Sequence, residues 1–157
     1  MPNIVALSGL VKFPITLDPS SWIFDDRKID MDDFFEEDFN LDAFLEAQKD
    51  ERAGAAIPRM AKGQKKYKKS DWLTRSFCMP VKVFIENSEP LAEAKSVTFE
   101  RQNEKKVTLS LEEAKSGVFA FSKDGKIIES DGPLHFYYPD PEKRNEAITG
   151  IIGIIIE

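Results

Sequence analysis

The last ten residues, Ile148–Glu157, read ITGIIGIIIE. Six of the ten are isoleucine, and no charge interrupts them before Glu157. β-branched side chains are stiff and suit a pleated strand. A run that stays apolar on both parities predicts a strand buried on both faces, central or nearly so in a sheet. It is far too short to cross a bilayer, which takes about 20 apolar residues. The rest of the chain must therefore supply strands on either side of this one and layers to cover it.

Several segments meet that requirement. Over residues 4–17, Val5, Leu7, Val11, Phe13, Ile15 and Leu17 share one parity, while Ser8, Lys12 and Thr16 share the other. This period of two predicts a half-buried strand, with Pro14 marking a bend or an edge. Val97–Arg101 and Lys106–Ser110 flank a polar tetrapeptide and predict a hairpin. Val118–Ser122 and Lys126–Glu129 flank Lys123-Asp124-Gly125 and predict another. Leu134–Tyr138 reads as a further strand.

Helical spacing appears in residues 30–52. Met31, Phe34, Phe35, Phe39, Leu41, Phe44 and Leu45 form an apolar stripe with a break near Asn40, opposite an acidic face. Val81–Ile85 fits either a strand or the start of a short helix, and Pro90–Lys95 is the better short-helix candidate. Ser110-Leu111-Glu112-Glu113 is a capping box that opens one or two helical turns, which Gly117 is placed to end. Residues 53–70, with two glycines, a proline and five lysines, predict a long loop. Strands come first and last with helices between them. This is an α+β architecture, a mixed β-sheet with short inserted helices, in one domain over residues 1–157.

Composition narrows the function classes. A net charge of -6 repels phosphate backbones, so a nucleic-acid partner is not expected. The single cysteine, Cys78, rules out a disulfide within the chain and fits a reducing, cytoplasmic location. The N-terminal stretch alternates and lacks a basic lead, unlike a signal peptide, and no membrane partner is expected.

Short catalytic patterns are absent: there is no H-E-x-x-H, C-x-x-C, G-x-S-x-G or P-loop. The acidic run from Asp25 lacks the glycine and ligand spacing of an EF-hand, so it reads as a solvated helix face and no metal site is expected. Cys78, between Phe77 and Met79, reads as a buried free thiol. A Cys–His pair could only be Cys78 with His135, the one histidine. The lysines 62, 65, 66, 68 and 69, near Tyr67 and Trp72, could clamp an anion.

An ordered set of short patterns then points to a family. Ala94/Val97/Phe99, Leu111/Ala114, Phe119-Ala120-Phe121 leading to Gly125, Gly132-Pro133-Leu134-His135-Phe136 with Pro139, and the Ile148–Glu157 ending follow one another. Upstream, Leu7–Leu17 and Ser76–Pro90 fit more loosely. Together, over about 120 residues, the chain resembles the molybdopterin-binding domain of sulfite-oxidase-like oxidoreductases. The resemblance implies that fold, a pterin cofactor and a cysteine thiolate on molybdenum. Cys78 falls beyond the position of that thiolate, and His135 stands where the family has arginine. The expectation is therefore a non-redox binding or interaction protein on this scaffold, without a cofactor and without catalytic residues. Its partner would be an anionic small molecule or a protein. Lys68, Lys69, Arg75 and His135 are the candidate ligand contacts, in a pocket between the lysine loop and the 132–136 strand. A pterin-cofactor oxidoreductase is the first alternative, with molybdopterin as its cofactor. A fainter resemblance, to small bacterial proteins labelled peptidyl-prolyl isomerase, supplies the second, with Phe136, Tyr138 and Cys78 as candidates for a proline pocket.

Overall fold

The computed structural model describes residues 4–24, 27–35, 39–52, 75–102, 104–123, 125–128 and 132–157. The chain opens with β1 (Val5–Gly9) and β2 (Ile15–Leu17), an antiparallel pair rather than the one strand the alternation predicts. The reversal begins at Gly9, whose φ of +104° favours glycine. A side chain there would also meet the backbone nitrogen of Ile156 at 2.9 Å. A 3₁₀ segment, Pro19–Phe24, then lays Trp22 on the core, stacked 4.8 Å from the Phe84 ring.

The acidic region holds β3 (Ile29–Asp30), α1 (Met31–Phe34) and α2 (Leu41–Arg52). The break falls where the stripe predicts it. Asn40 ends it by accepting from the Ala43 N–H at 2.9 Å, an N-cap for α2.

Next come β4 (Phe77–Pro80) and α3 (Val81–Ser88). Val81, Phe84, Ile85 and Ser88 are all buried, the i, i+3, i+4, i+7 face of a helix. That settles the ambiguity at residues 81–85 in favour of a helix. Pro90–Lys95 is not helical: Pro90 bridges to Val11, and the Ala94 N–H closes a turn on the Leu91 carbonyl.

β5 (Ser96–Arg101) and β6 (Val107–Ser110) form the expected hairpin, with Val97 opposite Leu109. α4 (Leu111–Ser116) follows, and the Ser110 hydroxyl accepts from the Glu113 N–H at 3.1 Å, as the capping box requires. Then come β7 (Val118–Ala120), the β8 (Ser122–Lys123) and β9 (Lys126–Ile127) hairpin, β10 (Leu134–Tyr137) and β11 (Ile148–Ile156).

Nine described strands form one mixed sheet, and β11 is its hub. On one edge β11 pairs with β10 through Ile148–Ile151 and, in parallel, with β1 through Gly153–Ile156. On the other edge it pairs with β5. The central strand is therefore as expected, but its burial is not two-sided. Ile151, Ile154 and Ile156 are buried, whereas Ile152 is 47% exposed. Gly153 lies against the Glu100 side chain, and Arg101 donates to the Thr149 carbonyl at 2.7 Å.

The sheet separates two apolar clusters. Phe77, Met79, Phe119, Leu134 and Phe136 face the main core with Phe99, Phe84 and Trp22. Alternate residues of the same strands, Cys78, Val118 and Ala120, face a smaller cluster with Ile29, Met31, Phe34 and Ile128. Phe35, Phe39, Leu41 and Phe44 pack on that second cluster, so the helical stripe of the acidic region covers this face of the sheet.

Candidate functional site

Of the four candidate ligand contacts, Lys68 and Lys69 lie outside the described residues. Arg75 and His135 lie at the same end of the sheet. β4 and β10 both pair antiparallel with β7, so they start at one end, and Arg75 stands two residues before β4. His135 is the second residue of β10, is 9% exposed and lies opposite Ala120.

Arg75 is held from three directions. Its carbonyl accepts from the Gly125 N–H at 3.0 Å, which ties it to the β8–β9 hairpin. The next carbonyl, that of Ser76, accepts from the Met31 N–H at 3.0 Å, which ties it to the start of α1. Its Nε lies 3.1 Å from Oδ2 of Asp30. The two side chains differ sharply in exposure, 43% for Arg75 and 2% for Asp30.

Asp30 departs from the solvated helix face that the acidic run predicts. It is buried at the end of β3, opposite Phe77, and its Oδ1 caps α1 by accepting from the Asp32 N–H at 2.8 Å. Burial raises its carboxyl above the usual carboxylate range. The Asp32 N–H and the Arg75 charge oppose that rise, and the charges of Asp33 and Asp32 add to it. The available signal was local: an aspartate directly before a short apolar-periodic segment is an N-cap pattern. Nothing local indicated that the cap would be buried.

Cys78 is fully buried and donates its thiol proton to the Ile29 carbonyl at 3.3 Å. Burial pushes its thiol well above the ordinary range, and the charges of Asp30 and Asp33 push the same way. Cys78 and Phe136 lie on opposite faces of the sheet, so they do not line one proline pocket. Among the described residues, no group of three or more His, Cys, Asp or Glu could hold a metal ion. No described helix is long and apolar enough to cross a membrane.

Elsewhere, a cleft of about 570 Å³ opens between the start of α2, α3 and α4. Lys82 crosses it to Asp42 at 3.1 Å, and the hydrogen bond to Asp42 raises the lysine further above its usual range.

No protein-family model matches the chain, and no curated protein matches it. Among solved structures, it is similar to the sulfane dehydrogenase SoxCD from Paracoccus pantotrophus, at 11% identity and a TM-score of 0.55. The match covers 98% of this chain and 37% of that one, so the chain spans well under half the length of its structural neighbour. At that identity the likeness is one of fold. It is a distant likeness, and it agrees with the α+β, sulfite-oxidase-like architecture expected from the ordered patterns.

Proposed function

We propose that this protein is a non-redox binding protein that uses a molybdopterin-domain-like scaffold to hold an anionic ligand. The observation that carries the reading is the state of Cys78. A sulfite-oxidase-type site needs a thiolate on the metal, and this chain has one thiol. That thiol is buried between β3 and β7, donates its proton in a hydrogen bond to the Ile29 carbonyl, and is disfavoured as an anion by burial and by two nearby carboxylates. The residues present do not fit a metal-ligating thiolate, and no step is assigned through such a cofactor.

The anionic character of the ligand rests on Arg75, an arginine with a rigid backbone and an exposed side chain at the end of the sheet where β10 brings His135. Lys68 and Lys69 precede it closely in sequence and would add positive charge. Metal analysis of protein purified from cells supplied with molybdate tests the non-redox half of the reading. The expected result is no stoichiometric molybdenum. About one molybdenum per chain, lost in Cys78→Ser, would overturn it.

A further inference from the structure

We infer that Asp30 is a positioning residue that holds the Arg75 guanidinium in place to receive an oxyanion, an inference that rests on the anion-binding reading above. Asp30 Oδ1 accepts from the first turn of α1, and Oδ2 forms an ion pair with Arg75 Nε at 3.1 Å whose geometry is not that of a hydrogen bond. The carboxylate is buried and the arginine is not, so this is not an exchange between two solvated chains. One end of the pair is built into the fold and the other is presented at the surface.

The chemistry follows from the shape of arginine. A guanidinium offers five N–H donors in a rigid fork, and an oxyanion is bound best by two parallel donors. The ion pair to the buried carboxylate favours arginine rotamers that keep Nε beside Asp30, which lowers the freedom left to lose on binding. The backbone on both sides of the residue is already held, by Gly125 at Arg75 and by Met31 at Ser76. The arrangement is thus pre-organised in side chain and backbone together. Leaving 43% of the arginine side chain exposed keeps part of its donor fork available to a ligand.

The test titrates the chain of residues 1–157 with inorganic phosphate, with potassium chloride at matched ionic strength as the control. The Nε–Hε cross-peak of Arg75, identified by its loss in Arg75→Lys, is followed by NMR. Asp30→Asn is the decisive variant. Its amide oxygen still accepts from the Asp32 N–H, and burial already disfavours the charge it removes, so the fold is retained. The expected result is a saturable shift in the parent chain, absent with chloride, and an affinity about tenfold weaker in Asp30→Asn, the loss of one charge-assisted contact that orients the fork. A saturable shift with equal affinity in Asp30→Asn would overturn the positioning role and leave anion binding standing. No saturable shift in the folded parent chain would overturn both.

Discussion

Cys78 and His135 stand level with each other in the sheet, each opposite Ala120 from its own side. Two strand spacings separate their backbones, roughly 10 Å. The one thiol and the one imidazole therefore share a face without forming a nucleophile–base pair. Cys78 instead finds its partner across the other edge of β4, at the Ile29 carbonyl.

Cys78 should be inert in the folded chain. Iodoacetamide is expected to leave it unmodified under native conditions and to label it fully in denaturant, measured by intact mass. Labelling of the native chain at the rate of a model thiol would show an accessible thiolate.

The same residue gives a pH dependence with a defined sign. The unfolded thiol ionises near pH 8.5, whereas the folded thiol keeps its proton well above that. Between those values the unfolded state binds fewer protons, so stability falls as pH rises. Below pH 8.5 this contribution is fully present. Denaturant midpoints between about pH 8.5 and 10 should decline in the parent chain and flatten in Cys78→Ala. Tyr138, also raised by burial, loses stability with the same sign but only above about pH 10.

The Ser110 cap is a local device with a local cost. Ser110→Ala removes the acceptor of the Glu113 N–H and should cost about 0.5–2 kcal/mol. Chemical denaturation of the variant beside the parent chain reads this directly, and an unchanged midpoint would mean that α4 does not depend on this cap.

Gly117 matters for space, because its backbone is extended and strains no side chain. A Cβ there would lie 2.5 Å from Cε2 of Phe136 and 2.5 Å from the Tyr137 carbonyl oxygen. Gly117→Ala should therefore destabilise by about 1–3 kcal/mol, the ordinary range for overpacking. A midpoint equal to that of the parent chain would show that the α4–β7 junction can open away from β10.

Adjacent positions of the central strand should respond very differently. Ile151 is fully buried between β10 and β5, and Ile151→Ala should cost about 2–5 kcal/mol. Ile152 is 47% exposed, and Ile152→Thr should stay within about 0.5 kcal/mol. Similar losses at the two sites would mean that both faces of β11 are covered.

By itself the sequence determined the features whose causes lie within a few residues. The isoleucine run had to be an inner strand, and the Ser110 box had to open a helix. The break at Asn40 was legible for the same reason, since the cap and the interrupted stripe are neighbours. Tertiary structure decided what depends on distant partners. The hairpin expected between Val118–Ser122 and Lys126–Glu129 is confined to Ser122–Lys123 and Lys126–Ile127, because Val118–Ala120 pairs with β4 and β10 instead. Residues 4–17 alternate throughout, but the chain turns after Gly9, which lies in register against Ile156 of the parallel strand β11. Ile152 looks as apolar as Ile151, and only the absence of a covering layer among the described residues leaves it in water. Asp30 and Arg75 are separated by more than forty positions, so no local pattern could pair them. Periodicity reports which side of an element is apolar, whereas burial and charge pairing depend on what the rest of the chain brings against that side.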